Sequence, residues 1–398
     1  MLRVEMLCTG DEVLHGQIVD TNAAWLADYL FSQGVPMTSR MTVGDKLEEL
    51  VAALTERSQI ADVLIVNGGL GPTSDDLSAL AAATAAGETL VEHPEWLVRM
   101  EAFFTERGRV MADSNRKQAQ LPASAELVDN PVGTACGFAM QLNRCLMFFT
   151  PGVPSEFKVM VEQQILPRLR QRFTVAEPPL CLRLTTFGRS ESDLASQLDR
   201  LPLPPDVVLG YRSSMPIIEL KLTGPAARRQ EMEVVWQTVR DVAGENMIFE
   251  GTEGLPAQLA RRLHERGLRL AVAEDFTAGL LNWQLREAEV PLSGGELRLE
   301  KTALTLDDAA GETLTLAARH QAQLALYVGR SEEDGVLTLA LHTPEGTFAQ
   351  TIQVNARRYS RKTHQDVVAM LAMNMLRRWL NGWPVYGGHG WINVLATR

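Results

Sequence analysis

The chain has 398 residues, 45% of them hydrophobic and 22% charged, with a formal net charge of −11. That length exceeds what one hydrophobic core usually fills, so two or three domains are expected, and the balanced composition excludes a disordered chain. The acidic balance is wrong for a non-specific phosphate-backbone binder, which sets nucleic acid aside, so any phosphate must be held locally by backbone donors, a few Arg or Lys, or metal ions.

The first 170 residues alternate strand and helix signals. Val4–Leu7 is a short apolar run ending at Thr9-Gly10, followed by a helix with Asp20 as N-cap, Trp25, Leu26, Tyr29 and Leu30 on its apolar face, and Gly34 as its stop. Val35–Val43 reads as a strand, Asp45–Glu48 as a capping-box-like helix start, and Ala61–Asn67 as a buried parallel strand. This β-α-β-α-β order predicts an α/β fold with a doubly wound parallel sheet. Helices follow over Leu77–Ala86 and Pro94–Arg107. Phe138–Leu142 and Cys145–Phe149 read as a hairpin, and Ser155 as the cap of a helix running to about Arg170.

Pro178-Pro179 marks a boundary. Beyond it a β-α-β-β-α-β order from Leu180 to Phe249 predicts a small ferredoxin-like module. GTEGL at 251–255 reads as a linker into a second α/β domain, with a hairpin at Thr343–Thr347, a long helix from Lys362 to Leu380 and a last strand in the tail. The expected domains are therefore 1–175, 176–250 and 251–398. Met370, Leu371, Met373, Met375 and Leu376 fall at helical spacing and read as core.

Cys8, Cys136, Cys145 and Cys181 show no CxxC spacing, so neither a disulfide framework nor a zinc site is implied. The N-terminus MLRVEMLCTG lacks the apolar region of a signal peptide, and no apolar run is long enough to span a bilayer. A cytoplasmic location with no membrane partner is expected.

The chemistry concentrates where strands end in glycine turns. Asn67-Gly-Gly-Leu-Gly-Pro-Thr-Ser-Asp-Asp76 follows a buried strand and precedes a helix whose N–H groups are expected to point outward from about Ser74. Open α/β sheets receive anions at such junctions, and Gly68, Gly69 and Gly71 leave room for a ligand to approach. The pair Asp75-Asp76 would repel a phosphate unless a divalent cation lay between them. The alternative is that both are first-turn helix residues, favoured by the dipole by roughly 0.3–1 kcal/mol each. Cys8-Thr-Gly-Asp-Glu12, Thr150–Glu156 and Asn130–Gly137 end in similar turns, and Ser114-Asn-Arg-Lys117 offers Arg116 and Lys117 as cations. Solvated loop acids and a solvated basic pair are the plain alternatives.

Taken together, MLCTGDEVLHGQIVDTNAAWLA, VNGGLGPTSDDL, SNRKQA, NPVGTACGF and TPGVPSEF resemble, in order, the motifs of the CinA N-terminal domain, which shares the fold of molybdopterin-binding proteins. The resemblance implies a metal-dependent ADP-ribose pyrophosphatase, releasing AMP and ribose 5-phosphate. It places Asp75, Asp76 and Glu156 as catalytic acids, with Asp76, Glu12 and Glu156 as metal ligands. Ligand-binding positions are Gly10, Asn67, Gly68, Gly69, Gly71, Thr73, Ser74, Arg116, Gly133, Thr134, Gly152 and Ser155. The implied ions are a divalent metal (Mg, Mn or Co) and, as a second candidate, a monovalent cation. The implied ligand is a phosphorylated small molecule, ADP-ribose or a pterin, and the implied assembly is a homodimer. Asp11 stands where the family commonly has Thr, Val153 where it has Pro and Phe157 where it has Met.

The C-terminal domain resembles a nicotinamide-nucleotide deamidase whose active relatives carry a Ser nucleophile in an A-E-S-C-T-G-G segment. Here Ala273 is followed by Glu274, Asp275, Phe276, Thr277, Ala278 and Gly279, so Asp275 replaces the serine and Phe276 the cysteine. A carboxylate does not attack an amide as an alcohol does. Lys301 is the only local candidate for the expected lysine, and Tyr327-Val-Gly-Arg330 lacks the family's Gly-rich phosphate loop. No amidase activity is expected, which leaves this domain a role in folding or dimerisation. Two other readings stay open for the whole chain: a non-catalytic molybdopterin- or nucleotide-binding protein, and a scaffold or regulatory protein with both sites vestigial.

Overall fold

The computed structural model describes residues 2–332, 334–354 and 359–398. The chain divides into two compact units, Met1–Pro179 and Leu180–Arg398.

The first unit runs β1 (Val4–Thr9), α1 (Asp11–Leu14), α2 (Thr21–Ser32), β2 (Met37–Val43), α3 (Leu47–Ile60), β3 (Val63–Asn67) and α4 (Ser78–Ala86). It continues with β4 (Leu90–Glu92), α5 (Pro94–Thr105), β5 (Gln120–Pro122), β6 (Glu126–Val128), β7 (Gly137–Leu142), β8 (Cys145–Thr150), α6 (Pro154–Met160) and α7 (Leu166–Arg172). The main sheet has the order β2-β1-β3-β8-β7-β6. It is parallel from β2 to β8 and antiparallel at β7 and β6. The switch at β8 follows from the tight Asn143-Arg144 turn, where Asn143 takes φ 51°, because so short a link can only join antiparallel strands.

β1, β3 and β8 are buried along their whole length, as strands covered on both faces must be. On one face α2, α6 and α7 supply Leu26, Leu30, Phe157, Met160 and Leu169. On the other, α3, α4 and α5 supply Leu50, Leu54, Ala81, Ala82, Trp96 and Met100. The sheet is thus clamped between two cores, which leaves its strand ends as the place where irregular, polar backbone can gather.

The second unit opens with β9 (Leu180–Phe187), α8 (Glu191–Leu198), β10 (Val208–Ser214), β11 (Ile217–Gly224), α9 (Arg229–Ala243) and β12 (Met247–Glu250). These form an antiparallel sheet of order β10-β11-β9-β12. Leu194, Leu198, Met232, Trp236 and Val239 of its two helices pack on Leu184, Leu220 and Leu222, the expected ferredoxin-like arrangement. The chain then adds α10 (Leu255–Glu265), β13 (Leu270–Glu274), α11 (Leu280–Glu287), β14 (Leu292–Leu297) and α12 (Leu306–Arg319). It ends with β15 (Leu324–Val328), β16 (Val336–Thr343), β17 (Gly346–Val354), α13 (Arg361–Leu380) and β18 (Ile392–Thr397). Their sheet has the order β14-β13-β15-β16-β17-β18.

Phe187 and Ile248 of the four-stranded sheet belong to the same core as Leu259, Leu263 and Leu371. A shared core therefore spans the expected division at residue 250, and the compact-unit boundary falls at Pro179. The Met and Leu stripe of α13 is core as expected, with Met370 only partly buried. Among the described residues, no helix is long and apolar enough to cross a membrane.

Candidate functional site

Because β1, β3 and β8 are parallel neighbours, their carboxyl ends open on one rim. The chain crosses from β1 to β2 on one side and on to β3 on the other, so the β1–β3 gap is a topological switch point. A cavity of about 600 Å³ sits there. It is lined by Gly10, Glu12, Asn67, Gly68, Gly69, Gly71, Thr73, Asp75, Asp76, Thr134, Gly152 and Glu156 among the sequence-predicted residues. Ser74, Arg116, Gly133 and Ser155 do not line it.

The rim is held by a buried amide network. Asn67 Nδ2 donates to Pro151 O at 2.7 Å and to Thr150 Oγ1 at 3.3 Å, while Asn22 Nδ2 donates to Asn67 Oδ1 at 3.0 Å and to Gly152 O at 2.8 Å. Ser78 Oγ donates to Gly68 O at 2.8 Å, anchoring the start of α4 to the turn. Gly68 takes φ 110°, and a Cβ there would come within 2.7 Å of Thr9 O, so only glycine lets the ends of β1 and β3 approach. Asn22 is the residue that sequence reasoning passed over. Its signal was a polar side chain in the first turn of an otherwise apolar helix face.

The carboxylates sit differently from expectation. Helix α4 begins at Ser78, not near Ser74, and residues 71–75 form bends and a turn. Pro72 and the Ser78 tether delay the helix, so Asp75 and Asp76 are not first-turn dipole residues. Asp76 Oδ2 accepts from the Thr73 backbone N–H at 2.9 Å and from the Thr73 hydroxyl. Lys117 Nζ donates to Thr73 O, which ties the basic segment to this turn. Arg116 points elsewhere: its guanidinium pairs with Glu92 at 3.0 Å, because the β4–β5 ladder brings that carboxylate closer than the cavity.

Glu156 lies in the first turn of α6, where Oε2 accepts from Asn130 Nδ2 at 2.7 Å. Asn130 Oδ1 in turn accepts from Gly133 N at 3.1 Å, and a Cβ on Gly133 would fall 2.1 Å from Glu156 Oε2. Ser155 does not cap this helix. Pro154 fixes the first helical φ, which makes Val153 the N-cap, with no side-chain cap bond. Asp45, expected as part of a capping box, instead accepts from the Thr9 hydroxyl at 3.0 Å and from Asp11 N at 2.9 Å, and α3 starts after Lys46.

The nearest thiol is inert. Burial first, and then the hydrogen bond from Cys8 Sγ to Asp20 at 3.0 Å, push the Cys8 pKa well above its usual value, so it stays a protonated donor.

Among the described residues, no three His, Cys, Asp or Glu side chains converge closely enough to hold a metal by themselves. Asp76, Glu156 and Glu12 nonetheless share one cavity. Asp76 Oδ1, Glu156 Oε1 and the Glu12 carboxylate have no hydrogen-bond partner among the described residues, and Asn22 Oδ1 is enclosed without a donor. A Mg²⁺-type ion takes one or two carboxylates and completes its shell with phosphate oxygens and water. These oxygens suit an ion completed by its ligand rather than a preformed cage.

In the second unit Glu274 is fully buried. It accepts from the Thr277 hydroxyl, from Leu281 N at 3.2 Å and from Asn282 N at 2.8 Å, so it caps α11. Asp275 Oδ2 accepts from Glu300 N at 2.7 Å, and the Glu300 carboxylate accepts from Tyr327 OH at 2.6 Å. Phe276 is buried, and its carbonyl accepts from Gln365 at 2.9 Å. Ala278 and Gly279 both take positive φ, at 53° and 96°, to turn the chain into α11. Of the segment 274–279 only Thr277 offers a hydroxyl, and that hydroxyl is donated to Glu274.

The family described as "Probable molybdopterin binding domain" matches residues 5–171. A CinA-like protein of Escherichia coli (strain 55989 / EAEC) is 65% identical over 397 residues, covering 100% of this chain and 99% of that protein. An Escherichia coli K12 relative with the same identity and coverage is named an NMN amidohydrolase-like protein, which stands at odds with the expectation of no amidase activity. Among solved structures, CinA from Thermoplasma acidophilum is 27% identical with a TM-score of 0.38, covering 43% of this chain and 96% of that one.

Proposed function

The chain belongs to the CinA-like family, and from that premise we propose that its N-terminal domain hydrolyses the diphosphate of ADP-ribose to AMP and ribose 5-phosphate. The observation that carries this reading is the placement of Asp76, Glu12 and Glu156 around one rim cavity, each with a carboxylate oxygen left unengaged. Three such acids would repel a diphosphate in the absence of a cation.

Asp76, with Glu12 or Glu156, would hold the divalent ion together with phosphate oxygens. When bound, that ion supplies charge neutralisation and a more acidic water. The chain's own part is positioning and one proton transfer. Thr73 fixes Asp76, Asn130 fixes Glu156, and the Gly68-Gly69 turn lets the diphosphate approach the backbone. Water adds to one phosphorus while the bridging P–O bond breaks. Asp75, exposed at the cavity mouth, accepts the water's proton, and the leaving phosphate carries the displaced charge.

The test is turnover of ADP-ribose by the full chain and by Asp76→Asn. A loss of at least about 100-fold in kcat with AMP binding retained supports the reading. Stoichiometric binding without product in both proteins moves the weight to a non-catalytic nucleotide- or pterin-binding module.

A second reading, amide hydrolysis by the C-terminal domain, is favoured by the name of the K12 relative. Against it stands the engagement of Asp275 and Thr277 within the chain's own fold. Ammonia release from nicotinamide mononucleotide decides it.

A further inference from the structure

In the second unit, β14 is the end strand of its six-stranded sheet and pairs with β13 alone. The register sets Glu274 opposite Leu297, and Arg298 N donates to Glu274 O at 2.8 Å. In a parallel ladder alternate residues bond the same neighbour, so Gly295 and Leu297 turn their N–H and C=O groups away from β13. Both residues are exposed. Proteins usually blunt such an edge with a lysine, a proline, an inward charge or a covering element. Here Gly294 and Gly295 carry no side chain, and Glu296 is folded back onto Arg319 at 2.7 Å. Beyond the glycines the edge is apolar, with Leu297 67% exposed.

A cavity of about 280 Å³ opens between this edge and α11, and Asn282, Arg286, Ser293, Gly294 and Gly295 are among its walls. None of its walls belongs to the rim cavity of the first unit. Arg286 is its one charged wall, and the carboxylates of Glu287 and Glu289 lie outside it. The Arg286 guanidinium has no hydrogen bond or ion pair among the described residues, in a chain of net charge −11. Gly295 keeps the cavity open. A Cβ there would come within 2.2 Å of Asn282 Oδ1 and close the gap between strand and helix.

The two features ask for different chemistry. An unpaired guanidinium is best met by a carboxylate, which it binds through two parallel hydrogen bonds. An open strand edge is met only by another extended backbone. A free phosphate or acetate leaves the edge unpaired, and the backbone inside a chain brings no carboxylate. The end of a polypeptide brings both.

We propose that the β14 edge and the Arg286 cavity bind the free C-terminus of a partner polypeptide as an added strand. Arg286 and Ser293 lie by the start of β14, so the carboxylate sits there and the peptide runs antiparallel to β14. The residues before it pair with Gly295 and Leu297. Trp283, 64% exposed and one turn before Arg286 on α11, offers them an apolar face.

The probe is a library of short peptides with their last four positions randomised, each made with a C-terminal carboxylate and with a carboxamide. It is screened against the full chain, Arg286→Gln and Arg286→Lys. Arg286 is exposed and unbonded, so neither variant disturbs the fold. The enriched carboxylate peptides should bind at least about tenfold more weakly as carboxamides, and as weakly to Arg286→Gln, with Arg286→Lys in between. They should also slow hydrogen exchange at the Gly295 and Leu297 amides by at least about tenfold, which neither acetate nor inorganic phosphate does. Four results overturn the proposal: no peptide is enriched, carboxamides bind as tightly as carboxylates, Arg286→Gln binds as the parent does, or acetate or phosphate alone protects both amides. A fifth is protection of those amides in the peptide-free chain that rises with protein concentration, because a second copy then occupies the edge.

Discussion

Asp11 and Asp45 hold each other reciprocally across the mouths of β1 and β2. Asp45 Oδ2 accepts the Asp11 backbone N–H at 2.9 Å, and Asp11 Oδ1 accepts the Asp45 backbone N–H at 3.2 Å. Asp11 stands outside the cavity wall, whereas Asp45 lines it. The aspartate found where the family commonly has threonine thus serves as a clasp, and its charge is partly taken up by a backbone donor. Asp45→Ala removes the acceptors of Thr9 Oγ1 and Asp11 N together. We expect about 1–2 kcal/mol lower stability in denaturant titration. KM should rise several-fold while kcat stays within threefold, because the Gly10 turn loses its tether.

Gly133 has no room for a side chain: a Cβ would fall 2.1 Å from Glu156 Oε2. Gly133→Ala should push Glu156 aside and cut turnover by at least about tenfold, since small displacements of an acid at the reacting centre are costly. Gly133 is part exposed, so Tm should change little. Glu156→Gln should match the loss in turnover, and circular dichroism melts would separate the effect from unfolding.

Arg116 and Lys117 are adjacent in sequence and opposite in role. Arg116 is engaged by Glu92 on an exposed surface, where a pair contributes roughly 0–1 kcal/mol. Arg116→Ala should leave KM within twofold. Lys117→Ala frees the Thr73 carbonyl beside Asp76 and should raise KM by more than fivefold. Initial-rate kinetics at fixed metal concentration check both.

His389 should govern acid stability. Burial, and then the nearby Arg378 and Arg377, bring its pKa down from the usual 6.5 to about 4, and neither ring nitrogen has a partner among the described residues. The fold therefore holds it neutral, while the unfolded chain protonates it below pH 6.5. Its contribution is complete above that pH and is lost as pH falls through about 4, by roughly 3 kcal/mol in all. Urea titrations at pH 7 and pH 4.5 should show this loss in the parent chain and a smaller loss in His389→Phe, with the two proteins similar at pH 7.

The parts of this fold that can be read from sequence are those governed by local physics. Periodicity and glycine turns located β1, β3, the β7–β8 hairpin and the ferredoxin-like order, and the Asp20 cap was found because an N-cap is a contact between near neighbours. What escaped depends on partners far along the chain. Asp45 looked like a capping box, yet Thr9 and Asp11 claim it from 36 and 34 residues away. Arg116 looked like a phosphate ligand until the β4–β5 ladder brought Glu92 beside it. Asn22 spans 130 residues to reach Gly152 O, a link no window of sequence contains. The glycine motifs fall together on one rim, and tertiary contacts decide which polar side chains face it.

The most direct measurement is a product assay on the full chain with ADP-ribose and each of Mg²⁺, Mn²⁺ and Co²⁺, with and without chelator, and with nicotinamide mononucleotide as a parallel substrate. The account predicts AMP and ribose 5-phosphate in equal amounts, abolished by chelator and by Asp76→Asn. Intact ADP-ribose in every metal would contradict it.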